Sequence, residues 1–168
     1  KGDGVTDDTA AIQAAIDSKN PIHLPAGTYL HTGLELDYSG FSIEGDGSMS
    51  TLLYNGEGVA ILIGNDAEQI ERGTLKNFKI ELNGDTCVGI QYKKASVNMR
   101  HELVEFLRPK GNTTNSQDDQ SIAVLYTNDD SFTGIHQYNS CLFTRFATAV
   151  DVNPQNDQGN FYNTQPPN

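Results

Sequence analysis

Positive charge is scarce in this chain of 168 residues: 11 lysines and arginines stand against 22 aspartates and glutamates, a net charge of −11. Nucleic acid and anionic membranes are bound through an excess of Lys and Arg, so neither is expected as a partner. Cysteine is scarce as well. Cys87 and Cys141 are the only two; they lie far apart, without a CxxC or metal-ligand spacing, and are expected as free, partly buried thiols. No apolar run approaches the roughly 20 residues of a membrane-spanning helix, and no signal-peptide pattern is present. Beyond Asp17 no stretch has the periodicity of a helix of about ten or more residues. This removes a doubly wound α/β sheet, whose parallel strands need helical crossovers.

The residues present favour turns and short strands. Hydrophobic residues make up 36% of the chain, and 16 glycines accompany a large supply of Asn, Thr and Ser. A chain of this size is one domain with room for a core, and its composition leans towards all-β.

The opening stretch is the exception, with one helix set among the strands. Thr6 can serve as N-cap, with Asp7 and Asp8 in the first turn, where carboxylates oppose the positive end of the helix dipole. Ala11, Ile12, Ala15 and Ile16 give a narrow apolar stripe. Asn20-Pro21 stops the helix, Ile22-His23-Leu24 reads as a strand, and Pro25-Ala26-Gly27 turns the chain into Thr28-Tyr29-Leu30. Alternating runs follow at 33–37, 40–45, 51–54 and 59–64, and 65–72 reads as a polar loop.

A weak repeat begins at Gly73. Strands at 74–82 and 88–92, separated by Asn83-Gly84, are followed in the same order by 97–106 and 122–126, then by 132–143 and 147–152, and the order begins again near Asn160. Aligning Phe78, Val104 and Leu142 describes coils of variable length, as stacking repeats allow. The expected core is Ile80, Leu82, Ile90, Leu103, Phe106, Leu125, Leu142, Phe143 and Val150. The stretches 110–120 and 153–159 read as surface loops. Patterning alone leaves an antiparallel sandwich open.

The run Gly2-Asp3-Gly4-Val5-Thr6-Asp7-Asp8-Thr9-Ala10-Ala11-Ile12-Gln13-Ala14-Ala15-Ile16-Asp17, followed by Leu24-Pro25-Ala26-Gly27-Thr28-Tyr29-Leu30, resembles the opening motif of the pectate-lyase-like right-handed parallel β-helix superfamily. That superfamily includes pectin-degrading enzymes, other glycoside hydrolases and many bacteriophage tailspikes. The resemblance implies an all-β solenoid over 1–168, with residues 1–30 as helical cap and first strands and 31–168 as successive coils. It decides against the sandwich. Members usually carry an apolar strand before this motif, and the last residues bring no capping helix. The expectation is therefore a piece of a longer protein, with further coils beyond it or supplied by another chain.

Two chemistries fit polysaccharide cleavage. A hydrolase needs a carboxyl pair across the scissile bond; a lyase needs a base and a cation, Ca²⁺ among the candidates, to stabilise a carbanion. Glu81, Glu102 and Glu105 are candidates for the pair if they share an outer face. Tyr92-Lys93-Lys94 with Arg100-His101-Glu102 forms a lyase-like set, for which a solvated strand face is the plainer account. Tyr92, His136 and Tyr138 are candidates to bind the sugar, the last two alternating on one strand. Asp118-Asp119 and Asp129-Asp130 could supply oxygens to Ca²⁺ but lack an EF-hand order, and loop solvation explains them as well. Asp3, Asp7 and Asp8 belong to the helix start rather than to a metal, and Gly2-Asp3-Gly4 and Gly45-Asp46-Gly47 lack the spacing of a phosphate cradle.

The resemblance implies a homotrimeric tailspike or tail-fibre-like protein on a virion tail that binds, and depolymerises, bacterial surface polysaccharide. A secreted pectin-type lyase or hydrolase and a non-catalytic adhesive β-helix are the alternatives.

Overall fold

A computed structural model describes residues 1–65, 67–84, 86–93, 96–108, 120–127 and 136–153. The described residues are mostly strand: β1 (Asp3–Asp7), β2 (Ile22–Leu24), β3 (Gly27–His31), β4 (Leu34–Leu36), β5 (Ser42–Gly45), β6 (Ser50–Tyr54), β7 (Val59–Ile63), β8 (Ile70–Glu71), β9 (Thr74–Leu82), β10 (Val88–Tyr92), β11 (Ser96–Val97), β12 (Met99–Leu107), β13 (Ile122–Thr127), β14 (His136–Asn139), β15 (Leu142–Thr144) and β16 (Thr148–Asn153). Among them the only α-helix is α1 (Thr9–Asp17).

Among the described residues every strand pairing is parallel. One sheet carries the order β1-β3-β6-β9-β12-β14, and a second carries β16-β13-β10-β7-β4. Because members of the two sheets alternate along the chain, each passage through both makes one rung on the previous rung. The result is a parallel, β-helix-like arrangement with little helix.

Stacking in register fixes what lies inside. One inward column is Leu34, Ile61, Ile90 and Val124; another is Leu52, Ile80 and Phe106, with half-buried Tyr29 and Phe143 at its ends. Each side chain is sealed by its equivalents above and below, at about 2 kcal/mol per fully buried aliphatic group.

The longer strands of the first sheet bend at stacked left-handed residues. Asn77, Leu103 and Ser140 have φ of 60°, 53° and 53°, and the pairings Lys76 with Glu102 and Glu102 with Asn139 place them on one line. Gly40, Arg72 and Asn98, at φ of 76°, 59° and 57°, form a second such line. Asn and Gly tolerate this conformation; a leucine does not without strain. At the first bend Leu103 is carried outward and is 51% exposed, so it leaves the expected core.

The same accounting corrects Leu142. It pairs with Glu105 rather than Val104, and a slip of one residue reverses the face a side chain occupies, leaving Leu142 54% exposed. Leu125, across from the outward Gln91, is only half-buried. Ile80, Leu82, Ile90 and Phe106 are in the core, and Phe78 pairs with Val104 as the repeat requires. Asn83-Gly84 turns a corner between two sheets instead of closing a hairpin. The stretch 65–72, read as a loop, contains β8, which pairs with β11. Of the expected surface loops, 110–119 and 154–159 lie outside the described residues, as does the strand expected near Asn160.

At the start, the N-cap is Asp8, without a side-chain cap bond, and Thr6 lies in β1. Asp7 and Asp8 therefore precede the first turn. The helix start is held by other bonds: the Asp7 carboxylate accepts from the Thr9 N–H at 2.9 Å, Asp8 N–H donates to the Leu30 carbonyl at 2.8 Å, and Thr32 N–H donates to Thr9 Oγ1 at 3.0 Å. Ile12 and Ile16 are the buried helix residues, whereas Ala11 is exposed. Gln13 completes the cap: its Nε2 donates to the Glu35 carbonyl and its Oε1 accepts from the Glu35 N–H, each at 3.0 Å. One side chain thus satisfies the open edge of β4. Cys87 is buried, Cys141 half-buried, and both are free. Among the described residues no helix is long and apolar enough to cross a membrane.

Two substitutions test the stacked geometry by urea unfolding. Leu103→Asn relieves the left-handed strain and is expected to raise stability by about 1 kcal/mol. Gly73→Ala would put a Cβ 2.0 Å from the Phe41 ring and is expected to lower stability by about 3 kcal/mol.

Candidate functional site

Parallel register also lines up the outward residues. On β9, Lys79 and Glu81 flank the inward Ile80, with Lys79 Nζ 3.2 Å from Glu81 Oε2. Thr51 and Glu105 lie across from Lys79 on the neighbouring strands, and Leu53 and Leu107 lie across from Glu81. The pair is partly enclosed, its side chains 20% and 23% exposed. Glu105 is half-buried one strand away. This wall therefore holds two carboxylates and an ammonium within an apolar border. An ion pair of this exposure contributes about 1 kcal/mol or less to stability. Glu81 and Glu105 stand on neighbouring strands two residues out of register, Glu105 across from Lys79 and Glu81 across from Leu107.

Glu102 does not join them. The bend at Leu103 puts it on an adjoining wall, in the column Glu44, Lys76, Glu102 and Asn139, where Lys76 Nζ lies 3.3 Å from Glu44 Oε1. Arg100, across from Thr74 and Gln137, is exposed and borders a cleft of about 190 Å³ with Asn98, Met99 and Gln137. Lys93 follows β10, where its N–H donates to the Ile63 carbonyl at 2.9 Å; it belongs to the other sheet. The three glutamates expected to share a face are thus divided, and Lys93 and Arg100 stand on different sheets.

Tyr92 and His101 do come together, but inside. The Tyr92 hydroxyl and His101 Nε2 share a hydrogen bond of 2.6 Å with both residues fully buried. Tyr126 stacks on Tyr92 at 5.1 Å, His136 meets Tyr92 edge-on at 4.8 Å, and Tyr138 stacks on His101 at 4.4 Å. The Tyr126 and Tyr138 hydroxyls bond to each other. Burial pushes His101 down to about 3 and the Tyr92 phenol well above its ordinary range. A neutral imidazole enclosed by rings meets no substrate, so His101 and Tyr92 are corrected from site candidates to core residues. His136 and Tyr138 are half-buried against the same rings and do not form an open sugar platform. The physical reason is one of parity: β12 pairs His101 with Leu75 and Tyr138, an inward column.

The acidic opening run is structural. Asp3 accepts from the N–H groups of Val5 and Thr6 at 3.0 and 2.7 Å and from the Thr6 hydroxyl at 2.8 Å, bonds that hold its carboxyl below the usual range. Asp118, Asp119, Asp129, Asp130 and Lys94 lie outside the described residues. Among the described ones no three His, Cys, Asp or Glu side chains converge as a metal site. Ca²⁺ takes six to eight oxygens; the Lys79 ammonium beside Glu81 does not fit a dication there. A groove of about 390 Å³ runs between α1 and the first corners, lined by Gln13, Glu35, Tyr54 and Glu57. Lys79 was absent from the expected site, although its alternation with Glu81 in Lys79-Ile80-Glu81 puts both on one face. Tyr126 was missed because its partners are distant in sequence.

The chain belongs to the pectate-lyase-like family of rhamnogalacturonase A and epimerase, whose sequence model matches residues 1–163. No curated protein matches it. Among solved structures, one from Parabacteroides merdae, provisionally described as a glycosyl hydrolase, is similar over 88% of this chain and 91% of that one, with 16% identity and a TM-score of 0.41.

Tyr92→Phe tests the interior assignment. Leaving His101 without its partner is expected to cost about 1–3 kcal/mol in urea unfolding, with glycan binding unchanged in a pull-down.

Proposed function

We propose that this chain is part of a right-handed parallel β-helix that acts on polysaccharide along its outer wall. The observation that carries the reading is the half-enclosed group of Lys79, Glu81 and Glu105 on consecutive strands of a continuous wall. Family membership supports the substrate class. Parallel ladders repeat at about 4.8 Å between strands, so an extended glycan can lie across several rungs rather than in a deep pocket. In the hydrolytic form of the proposal, one carboxyl protonates the leaving glycosidic oxygen and the other activates water or attacks the anomeric carbon. Lys79 holds Glu81 in place beside it. Arg100 and Glu102 on the adjoining wall are proposed to contact flanking sugars.

A second, narrower form of the proposal makes the parent protein a homotrimeric phage tailspike on a virion tail. In the alternative form it is a secreted monomer. Light scattering on the parent protein separates these, a trimer favouring the first and a monomer contradicting it.

The enzymatic reading is tested by incubating the parent with capsular and pectic polysaccharides while following new reducing ends and the ultraviolet absorbance of unsaturated uronates. Reducing ends without that absorbance are expected, and Glu81→Gln or Glu105→Gln is expected to lower the rate at least about 100-fold with an unchanged melting profile. Unsaturated products would replace hydrolysis with a lyase; no product from any glycan would remove catalysis.

A further inference from the structure

His31 is the last residue of β3, directly beneath the start of α1. It is fully buried, and neither ring nitrogen has a hydrogen-bond partner. Its immediate neighbours hold the cap: the carbonyl of Leu30 receives the Asp8 N–H and the N–H of Thr32 reaches Thr9 Oγ1. No described group around the imidazole is hydrogen-bonded to it. From β6, Tyr54 approaches with ring centroids 5.6 Å apart, but its hydroxyl is already donated to the Glu57 carbonyl at 2.8 Å. Beyond Tyr54 the register continues to apolar Leu82, and β4 and α1 contribute buried Leu34, Ile12 and Ile16 to the same interior. From β1, Asp7 is the nearby charge, with its carboxylate engaged by Thr9. Asp8 accepts from the Gly2 N–H at 3.0 Å.

We propose that His31 is an acid-sensitive latch: on protonation, β1 and α1 detach from the first rung while the later rungs remain folded. An imidazolium here would be a buried charge without a hydrogen-bond acceptor, and the nearest segment that can move aside to admit water is the short cap. Its release would uncover Leu34 and Leu36 and free the edges of β3 and β4, an end able to add a strand from another chain.

The order of events follows from the surroundings. Burial holds His31 at about 4, against an ordinary value of 6.5. Because the folded value is depressed, the latch is neutral above pH 6.5. Stability is lost as pH falls from 6.5 towards 4, because the opened form binds the proton first. Below that window the loss levels off, at a ratio of about 300-fold in the opening equilibrium. His101, also buried and held at about 3, obeys the same linkage when the middle rungs open, but that opening must separate β12 from both β9 and β14, whereas the cap is held by β1 on β3 and the few bonds at the start of α1. Asp3 and Asp7 are held below the usual carboxylate range by their own hydrogen bonds, so they stay charged across the window.

Amide hydrogen exchange of the full chain, corrected for the intrinsic rate at each pH, reads this directly. Protection over 3–17 and 27–31 is expected to fall about 100-fold between about pH 7 and pH 4.5, with 74–82 and 99–107 remaining more protected than the cap at every pH. His31→Leu should hold the cap closed across that range. Asp7→Asn, an exposed change that keeps an acceptor for Thr9, should leave the onset near pH 6.5 but carry the fall on below pH 4, with a larger total loss, by removing the charge that favours the imidazolium in the closed form. It remains informative if the leucine variant does not fold. Equal protection of the cap and the later rungs at low pH, or variants whose cap follows the unsubstituted profile, would overturn the latch.

Discussion

The structure depends on one constraint: inward residues must stack on inward residues through a parallel register from rung to rung. A single rung exposes the face it needs to bury, so the column of Leu34, Ile61, Ile90 and Val124 exists only because four strands are held in line. Backbone hydrogen bonds supply the alignment, and burial rewards it. Stacked left-handed residues let the wall turn corners without breaking the ladder. At Leu103 the fold requires that conformation of an unsuitable residue, which shows that register outweighs local preference.

The same constraint separates the polar groups. Tyr92, His101, Tyr126 and Tyr138 fall at inward positions and satisfy one another as an enclosed network, with pKa values displaced by burial. Lys79, Glu81 and Glu105 fall at outward positions, in reach of a ligand. In linear sequence both groups look equally chemical. Parity along the strand decides which is core and which is surface, and it moves the functional reading from the tyrosine and histidine residues to the outer wall. His31 is inward and has neither ring nitrogen bonded, whereas His101 is bonded to Tyr92 through Nε2.

Much of the fold could be read from residues alone. The helix and first strands follow from Ile12, Ile16 and the Pro25-Ala26-Gly27 turn, and the equivalence of Phe78 and Val104 was visible in their spacing. The family identified by the opening motif agrees with the family to which residues 1–163 belong. Side-chain direction near the bends was not legible. A single residue with positive φ in the middle of a strand shifts the alternation, so Leu103 was assigned inward, and the slip at Leu142 escaped for the same reason. Glu102 and Glu105 were grouped because they are close in sequence, whereas the bend between them puts them on different walls. The cap was misplaced by two residues because Asp7 provides, through Thr9, the turn assigned to Thr6.

The central claim is that ligand chemistry belongs to outward positions of this register and the Tyr92–His101 group does not take part. Backbone amide shifts recorded while oligosaccharides with neutral, amino-sugar and uronate backbones are added, in turn, to the full chain test it most directly. At least one series is predicted to perturb the outward positions 79, 81, 105 and 107, leaving 80, 92, 101 and 106 in place. Perturbation centred on Tyr92 and His101, with the outer wall silent, would contradict it.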